Sequence, residues 1–374
     1  MILRTNVKLN LGLHVLRKRP DGYHDIETLF VPCHEYGDTL EVITGDDYSR
    51  TSAALFARYG NPYPEERIDH GEVHPRLAAA EYRLRPTAPQ GNCFDLAQGI
   101  SEDGKLMIII AREGGVDWDP LEDLCAKAYF LLVKDFDLPP VKIFLEKKAP
   151  VGAGLGGGSA DAAFTLKALN ELCGLDLPDE RLSEYASRLG SDCAFFIWNR
   201  PMIGTGRGEI LEPFDIDLSG YEVRVLVPEG VSVSTAEAYR GITPRFYEAE
   251  GNSGATNNSF ASLRMPQAVF EGKGAKTTAT LGTLRGGTGS EADGGVERSE
   301  TVLAPLPLED HRVNNILKRP VEEWKELLVN DFEETVFKAH PELAAIKRSL
   351  YDSGAVYASM SGSGSAMFAI YKKQ

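Results

Sequence analysis

The chain has little that would mark it as a secreted or membrane protein. Its cysteines are few, odd in number and far apart, with no C-x-x-C pair: Cys33, Cys93, Cys125, Cys173 and Cys193. This pattern is neither a disulfide framework nor a zinc site. No apolar run approaches the roughly 20 residues that a membrane-spanning helix needs, and the N-terminus alternates polar and apolar residues, unlike a signal peptide. We therefore expect a cytoplasmic protein with reduced thiols and no membrane partner.

Positive charge is also scarce. The 374 residues include 40 basic and 55 acidic side chains, which gives a formal net charge of −15. Such a surface is a poor match for a nucleic-acid backbone, although a local basic patch can still hold a small anion. We expect no nucleic-acid partner and see no sign of an obligate protein partner. The length is sufficient for two or three domains.

Two stretches of the sequence lack a regular pattern. Residues 46–105 contain irregularly placed prolines and only a short helical pattern near 77–82, and residues 251–300 are rich in Gly, Ser, Thr and Asn. Such composition is typical of insertions or flexible loops. By contrast, polar and apolar residues alternate through residues 7–15. The alternation predicts a half-buried strand with Lys8, Asn10 and His14 on one polar face.

The strongest local signal is the segment PVGAGLGGGSAD at residues 150–161. It lies between a predicted strand at 141–145 and a helical pattern that ends at Gly174. Its glycines let backbone N–H groups approach an anion without Cβ clashes, and the N-terminus of the following helix adds partial positive charge. The expected ligand of this loop is a phosphate group.

Three common explanations of such a loop fit this sequence poorly. A P-loop requires Lys followed by Ser or Thr after the glycines, and neither pair follows here. A dinucleotide-binding fingerprint, which would favour an NAD-dependent dehydrogenase, matches at Gly152, Gly154 and Gly157. However, the helix leads to a second helix instead of the strand that this fold requires. A loop that only permits tight packing is uncommon for so long a glycine run.

The segment closely resembles the glycine-rich loop of the GHMP kinases, Pro-x-Gly-x-Gly-Leu-Gly-Gly/Ser-Ser-Ser-Ala. Three further segments resemble motifs of this family in the same order. They are KLNLGLHV with RPDGYHDIET at the N-terminus, LGSDCAFF at 189–196 and MSGSGS at 360–365. The matches cover about 1–45, 105–245 and 302–374. Four ordered motifs are far more specific than any one of them.

The resemblance implies a two-domain kinase that mixes α+β and α/β features. Residues 1–215 would form an N-terminal domain like domain 2 of ribosomal protein S5. Residues 216–374 would form a C-terminal ferredoxin-like domain, with the active site in the cleft between them. The implied phosphate donor is ATP with Mg²⁺. The implied acceptor is a cytidine diphosphate-linked methylerythritol, phosphorylated on its 2-hydroxyl.

The resemblance implies that Lys8 and Asp192 are catalytic. The carboxylate would accept the proton of the attacking hydroxyl, and the ammonium would keep the carboxylate ionised and stabilise charge on the transferred group. Seen alone, each residue has an ordinary explanation. Asp192 could be an exposed or helix-capping aspartate just after Gly190, and Lys8 could be an ordinary solvated lysine on the polar face of a strand.

The remaining site residues are also implied by the resemblance. Asn10, Tyr23, His24 and Tyr239 would hold the acceptor, the rings among them at its cytosine. Ser159 would contact a phosphate or its Mg²⁺. ATP would be bound by Lys147 and by the whole loop: Pro150, Val151, Gly152, Ala153, Gly154, Leu155, Gly156, Gly157, Gly158, Ser159 and Ala160.

The sequence departs from the family pattern at two positions. Asp123 stands where the family commonly has Asn, and its charge could weaken a nucleotide contact; Ala149 stands where Ile is usual.

Two other functions stay open. One is a GHMP kinase with a homoserine, mevalonate or sugar acceptor, and the other is an inactive nucleotide-binding protein. The Pro-Asp-Gly-Tyr-His turn argues against the first, and the presence of both Lys8 and Asp192 against the second.

Overall fold

The computed structural model describes residues 1–45, 94–242, 244 and 312–373. The helical pattern near 77–82 and the stretch 251–300 lie outside the described residues. The end of the first irregular stretch does not, because Phe94–Ile100 is a strand. It pairs along its whole length with Leu106–Glu113. The expectation of irregular structure up to residue 105 is therefore wrong for this part, since pairing with a neighbour can make a strand where local pattern does not reveal one.

Twelve strands lie in the described part of the chain. In chain order they are Ile2–Arg4 (β1), Val7–Lys18 (β2), His24–Cys33 (β3), Thr39–Thr44 (β4), Phe94–Ile100 (β5), Leu106–Glu113 (β6), Val141–Lys147 (β7), Met202–Thr205 (β8), Ile210–Pro213 (β9), Tyr221–Leu226 (β10), Tyr357–Met360 (β11) and Met367–Lys372 (β12). They form sheets in the orders β1-β4-β7-β6-β5, β2-β3-β8-β9 and β10-β12-β11. The first two sheets and the helices between β6 and β8 make up the N-terminal part, and the third sheet belongs to the C-terminal part.

Nine α-helices accompany these strands among the described residues. They are Leu124–Leu132 (α1), Gly157–Leu172 (α2), Asp179–Leu189 (α3), Cys193–Trp198 (α4), Thr235–Tyr239 (α5), Val313–Ile316 (α6), Trp324–Leu327 (α7), Phe332–Ala339 (α8) and Pro341–Asp352 (α9). None is long and apolar enough to cross a bilayer. The strand before the glycine loop and the helix after it are confirmed as β7 and α2.

The five-stranded sheet holds the glycine loop in place. Strands β6 and β7 are parallel, and a parallel pair needs a crossover connection, which α1 provides. Helices α1 and α2 cover one face of this sheet, where Ile108, Ile143, Tyr129 and Leu166 join one apolar core. Because β7 and α2 are both buried, the glycine loop between them has two fixed ends.

Strand β2 differs from its prediction in burial. The alternation predicts a strand with one solvated face, yet all residues from Val7 to Val15 are buried. Lys8 is 3 % exposed and Asn10 is 2 % exposed. Their face is covered by the glycine loop, since Lys8 N donates to Leu155 O at 2.9 Å, and by Ser361, whose Oγ accepts from Asn10 N.

The faces of β2 also change along the strand. The pairing with β3 shifts in register between Leu11 and Leu13, where Gly12 has a φ of +68°. A bulge of this kind adds one residue and reverses which side chains share a face. Leu13 therefore lines the same cavity as Lys8 and Asn10, and His14 does not. The expectation that His14 shares their face is wrong.

The glycine loop and the C-terminal SGSGS segment are packed together. Ala366 N donates to Ala153 O at 3.0 Å, and Ser361 Oγ donates to Gly154 O at 3.3 Å. At Gly154, which has a φ of +75°, an added Cβ would lie 2.2 Å from Ser361 O. Only glycine permits this approach of two backbones.

We predict that Gly154→Ala destabilises the protein by about 2 kcal/mol or more, because it adds both a clash and an unfavourable φ. Urea unfolding measures this change. Gly220→Ala is the matched control, since Gly220 has an ordinary φ and open space around the Cβ position. Equal stability of the two variants would contradict the packing described for the loop.

Candidate active site

Lys8 lies at the centre of the site. Its Nζ is 3.3 Å from Asp192 Oδ2 and donates to Gly154 O at 2.8 Å. It also donates a very short hydrogen bond to Asn10 Oδ1. A buried ammonium is costly unless it is paired and hydrogen-bonded, and three separate segments supply partners here. The interpretation of Lys8 as a solvated strand lysine is excluded by this burial.

Asp192 directs its carboxylate to the cavity and not to its own helix. It occupies the N-cap position of α4, but its side chain makes no capping hydrogen bond. The side chain is 30 % exposed, so one side can meet a ligand while the other meets Lys8. A capping role therefore does not explain this residue.

The N-terminus of α2 is left open for an anion. Its N-cap is Gly156 in the left-handed conformation, and no side chain caps this end. Gly152, Gly154 and Gly156 all have φ values near +75° and line the cavity. A 16-residue helix whose first N–H groups lack a side-chain cap is a suitable phosphate site. Val151, Gly152 and Gly158 are exposed, as a ligand-facing loop requires.

Other parts of the loop face inward. Ala153, Leu155, Gly157 and Ala160 are buried, so they shape the loop from below. Ser159 lies on the first turn of α2, and its hydroxyl and the Cys193 thiol both lie close to Gly190.

Lys147 lies beneath the loop and not in the cavity. It is 7 % exposed, and its Nζ contacts Asp38 Oδ2 at 2.5 Å and Asp161 Oδ2 at 2.6 Å. Burial by itself lowers the pKa of Lys147, but the two carboxylates outweigh burial and raise this pKa. Burial raises the pKa of Asp161 to about 8, with Lys147 opposing the rise and Asp38 adding to it.

Asp38 connects this cluster to the backbone of the loop. Its Oδ1 accepts from Lys148 N at 2.5 Å and from Ala149 N at 2.7 Å. Asp161, on the first turns of α2, accepts from Thr5 Oγ1 at 3.0 Å. The cluster therefore joins the start of the loop, its helix and the chain that leads into β2.

The aromatic residues expected at the acceptor end are brought together only in part. Tyr23 is 56 % exposed, whereas His24 stacks directly on Tyr239 with ring centroids 4.5 Å apart. Tyr239 in turn meets Phe332 edge to face. No gap for a base exists between His24 and Tyr239, so a base that binds here must use other faces of these rings.

Two pKa shifts affect these rings. Burial, with the nearby charge of Lys18, lowers the pKa of His24 below its ordinary 6.5, so this imidazole is neutral at pH 7. A neutral imidazole can both donate and accept hydrogen bonds. Burial, with the charge of Asp192, raises the pKa of Tyr239 to about 12, so its hydroxyl stays protonated.

One cavity of about 790 Å³ is lined by Lys8, Asn10 and Asp192, by the left-handed glycines of the loop, and by Tyr23, His24 and Tyr239. This volume suits a sizeable small-molecule ligand. The cavity also contains residues that the sequence did not single out as ligand-binding: Leu13, Arg207, Ser232, Ser234, Thr235, Phe332 and Ser363. The sequence contains one pattern that could have indicated Arg207 as a ligand-binding residue: two glycines flank this single cation in the segment Gly-Arg-Gly-Glu.

The two departures from the family pattern have local explanations. Asp123 caps α1, since its Oδ1 accepts from Cys125 N at 2.9 Å, and its Oδ2 accepts from Trp118 Nε1 at 3.1 Å. Its charge is thus engaged within its own segment. Ala149 is 5 % exposed and packs in the apolar cluster that contains Leu155.

Comparison with protein-family models gives two matches. Residues 123–200 match the GHMP kinases N terminal domain, and residues 313–374 match the GHMP kinases C terminal model. The fold class expected from the sequence, a mixed α/β kinase with an N-terminal and a C-terminal part, is confirmed. The boundary near residue 215 stays a prediction.

Curated relatives match over the full chain. A Bacteroides fragilis protein is 34% identical, with 100% of this chain and 93% of its own length covered. A Parabacteroides distasonis protein is 34% identical, with 100% and 92% covered. A Cytophaga hutchinsonii protein is 32% identical, with 99% and 92% covered. All three are named 4-diphosphocytidyl-2-C-methyl-D-erythritol kinase.

Solved structures agree on the fold. A crystal structure of 4-(cytidine 5'-diphospho)-2C-methyl-D-erythritol kinase is similar with a TM-score of 0.55 and 23% identity, covering 99% of this chain and 89% of that one. A crystal structure of mevalonate kinase has a TM-score of 0.50 and 10% identity, covering 100% and 91%.

We predict that Asp38→Asn costs about 3 kcal/mol of unfolding free energy and raises the KM for a nucleotide bound at the loop. The reason is that the asparagine amide has one acceptor oxygen, whereas both carboxylate oxygens of Asp38 accept hydrogen bonds. The substitution therefore leaves buried donors without a partner. Asp161→Asn should cost less, because its carboxylate serves no backbone N–H in the structure described. Chemical denaturation and steady-state kinetics measure both effects.

Asp137→Asn is the surface control, since Asp137 also pairs with a lysine but is 97% exposed. It should change neither quantity. Equal losses for Asp38→Asn and Asp137→Asn would contradict the anchoring of the loop by Asp38.

Proposed function

The chain belongs to the 4-diphosphocytidyl-2-C-methyl-D-erythritol kinases of the GHMP kinase family, and we propose that it transfers the γ-phosphoryl group of ATP to the 2-hydroxyl of that cytidylated alcohol. The products are the 2-phosphate and ADP, in the non-mevalonate route to isoprenoid precursors. The observation that carries the proposal is the pair of Lys8 and Asp192 at 3.3 Å in one cavity with the glycine loop and the Tyr23–His24 turn.

At the reacting end, Asp192 accepts the proton of the attacking hydroxyl. Its carboxylate is partly exposed and lies 3.3 Å from the Lys8 ammonium, so it can reach a hydroxyl in the cavity and take its proton. The same ammonium stabilises negative charge on the phosphoryl group in transfer. Asn10 accepts a hydrogen bond from the Lys8 ammonium and donates one to Thr28, so its side chain orients the ammonium. Asn10 also contacts the hydroxyl end of the acceptor.

At the nucleotide end, the phosphates of ATP lie along the glycine loop from Gly152 to Ser159. The left-handed glycines and the uncapped N-terminus of α2 support this placement. Ser159, on the first turn of that helix, is the residue we propose to contact the Mg²⁺ that ATP brings. Because Lys147 is buried between carboxylates, its proposed part in ATP binding is to position the loop.

At the base end, the exposed ring of Tyr23 and the edge of His24 hold the cytosine. A tyrosine face is suited to stacking on a base, and a neutral imidazole can hydrogen-bond its polar edge. Tyr239 supports His24 from behind by the stacking described above. Location in the cytoplasm and action without a protein partner stay predictions from the sequence.

The proposal predicts phosphoryl transfer from ATP·Mg²⁺ to 4-diphosphocytidyl-2-C-methyl-D-erythritol, which coupled ADP release and ³¹P NMR of the product measure. Homoserine, mevalonate and galactose are parallel acceptors, and 2-C-methyl-D-erythritol 4-phosphate is the control that lacks cytidine. We expect transfer to the cytidylated acceptor alone. Transfer to another of these acceptors would reassign the substrate, and no transfer by the folded protein would favour an inactive nucleotide-binding protein.

A further inference from the structure

Arg207 lies in the short connection between β8 and β9, between two glycines of positive φ, Gly206 at +66° and Gly208 at +113°. Its backbone N donates to Glu209 Oε2 at 2.6 Å, and its Nε donates to Glu209 Oε1 at 3.3 Å. Its two outer nitrogens, Nη1 and Nη2, have no hydrogen-bond partner among the described residues. The guanidinium is therefore oriented on one side and open on the other.

The connection that carries Arg207 touches both ends of the cavity. Ile26 N, close after His24, donates to Gly206 O at 2.7 Å. On the other side, Asp192 Oδ1 lies 3.8 Å from the point where a Cβ on Gly208 would be. Arg207 itself stands over the ring of Tyr23, with its Cζ 5.1 Å from the ring centroid. It thus lies between the base end and the reacting end.

The charges that line the cavity are unequally engaged. Among its described lining residues, Lys8 and Arg207 are the lysine and arginine side chains. Lys8 is committed to Asp192, Asn10 and Gly154. Arg207 is one-third exposed, is paired through one edge with Glu209 and lies near the charge of Asp21, without a hydrogen bond to it. It is the cation whose free donors are available to a ligand anion.

An acceptor with its base at Tyr23 and its hydroxyl at Asp192 must place its diphosphate between them. A guanidinium fork matches phosphate oxygens in geometry and in charge. We infer that Arg207 binds the diphosphate linker of the acceptor and selects for acceptors that carry one. This inference rests on the proposed function. The cation–π contact between Arg207 and Tyr23 then aligns the guanidinium that binds the diphosphate with the ring that stacks on the cytosine.

The competing explanation is that Arg207 only supports the Tyr23 ring from behind. The two roles differ in which part of the ligand they affect. A support for the ring acts on every ligand that contains cytosine. A cation that binds the diphosphate linker affects only the affinity of ligands that contain the diphosphate. Comparison of cytidine with cytidine diphosphate therefore separates them.

The test is isothermal titration calorimetry of cytidine and cytidine diphosphate on the full-length wild type, on Arg207→Met and on Arg224→Met. Arg224 is the matched control, because it pairs with Glu222 through Nε and stands over Tyr371 at 4.9 Å but does not line the cavity. For Arg207→Met we expect the Kd of cytidine diphosphate to rise about tenfold or more, since a charged partner is lost. The Kd of cytidine should not change. Arg224→Met should change neither.

A second variant and a kinetic readout guard against a folding defect. Arg207→Lys keeps the charge but loses the fork, so its loss should be smaller than that of Arg207→Met. In steady-state kinetics, Arg207→Met should raise the KM of the cytidylated acceptor about tenfold and leave the KM of ATP unchanged.

Two outcomes overturn the inference while the proposed function stands. They are an equal loss of cytidine and cytidine diphosphate affinity in Arg207→Met, and no loss of either. If the wild type binds neither ligand, the proposed acceptor fails and the inference fails with it. The wild-type titration alone distinguishes that case.

Discussion

The buried ammonium of Lys8 is the interaction on which the rest of this site depends. A charge with 3 % exposure needs close partners, and they come from three separate segments: Asn10 on its own strand, the Gly154 carbonyl of the glycine loop, and Asp192 at the start of α4. Each segment must therefore hold its place for the charge to be tolerated. The same contacts that satisfy Lys8 bring the nucleotide loop and the proposed base to one point.

Much of this arrangement could be predicted from the sequence, because some positions tolerate few residue types. The run of glycines between a strand and a helix indicated an anion site, and the structure gives Gly152, Gly154 and Gly156 the left-handed conformations that only glycine adopts easily. Four ordered motifs then indicated the family. The strand β7 and helix α2 on either side of the loop were predicted from simple periodicity, since both are regular and well buried.

The rest could not be predicted, because it depends on contacts between distant segments. A bulge at Gly12 reverses the faces of β2, and no local pattern reveals it. Lys147 precedes the loop in sequence, yet Asp38, more than a hundred residues earlier, draws it beneath the loop. Arg207 lies on a hairpin whose position between the two ends of the cavity appears only when the chain is folded. Burial and register are properties of the tertiary structure, and a single sequence indicates them only weakly.

The most direct test of the account is turnover and ATP affinity of Asp192→Asn, measured side by side with the cytidylated acceptor. The exposed Asp217→Asn, which should behave as wild type, is the control. We expect kcat to fall by about a hundredfold or more, since the amide cannot accept the proton, while the Kd of ATP stays within a few fold. Undiminished turnover in Asp192→Asn would contradict the account, because the group that the structure places against Lys8 would then have no part in the transfer.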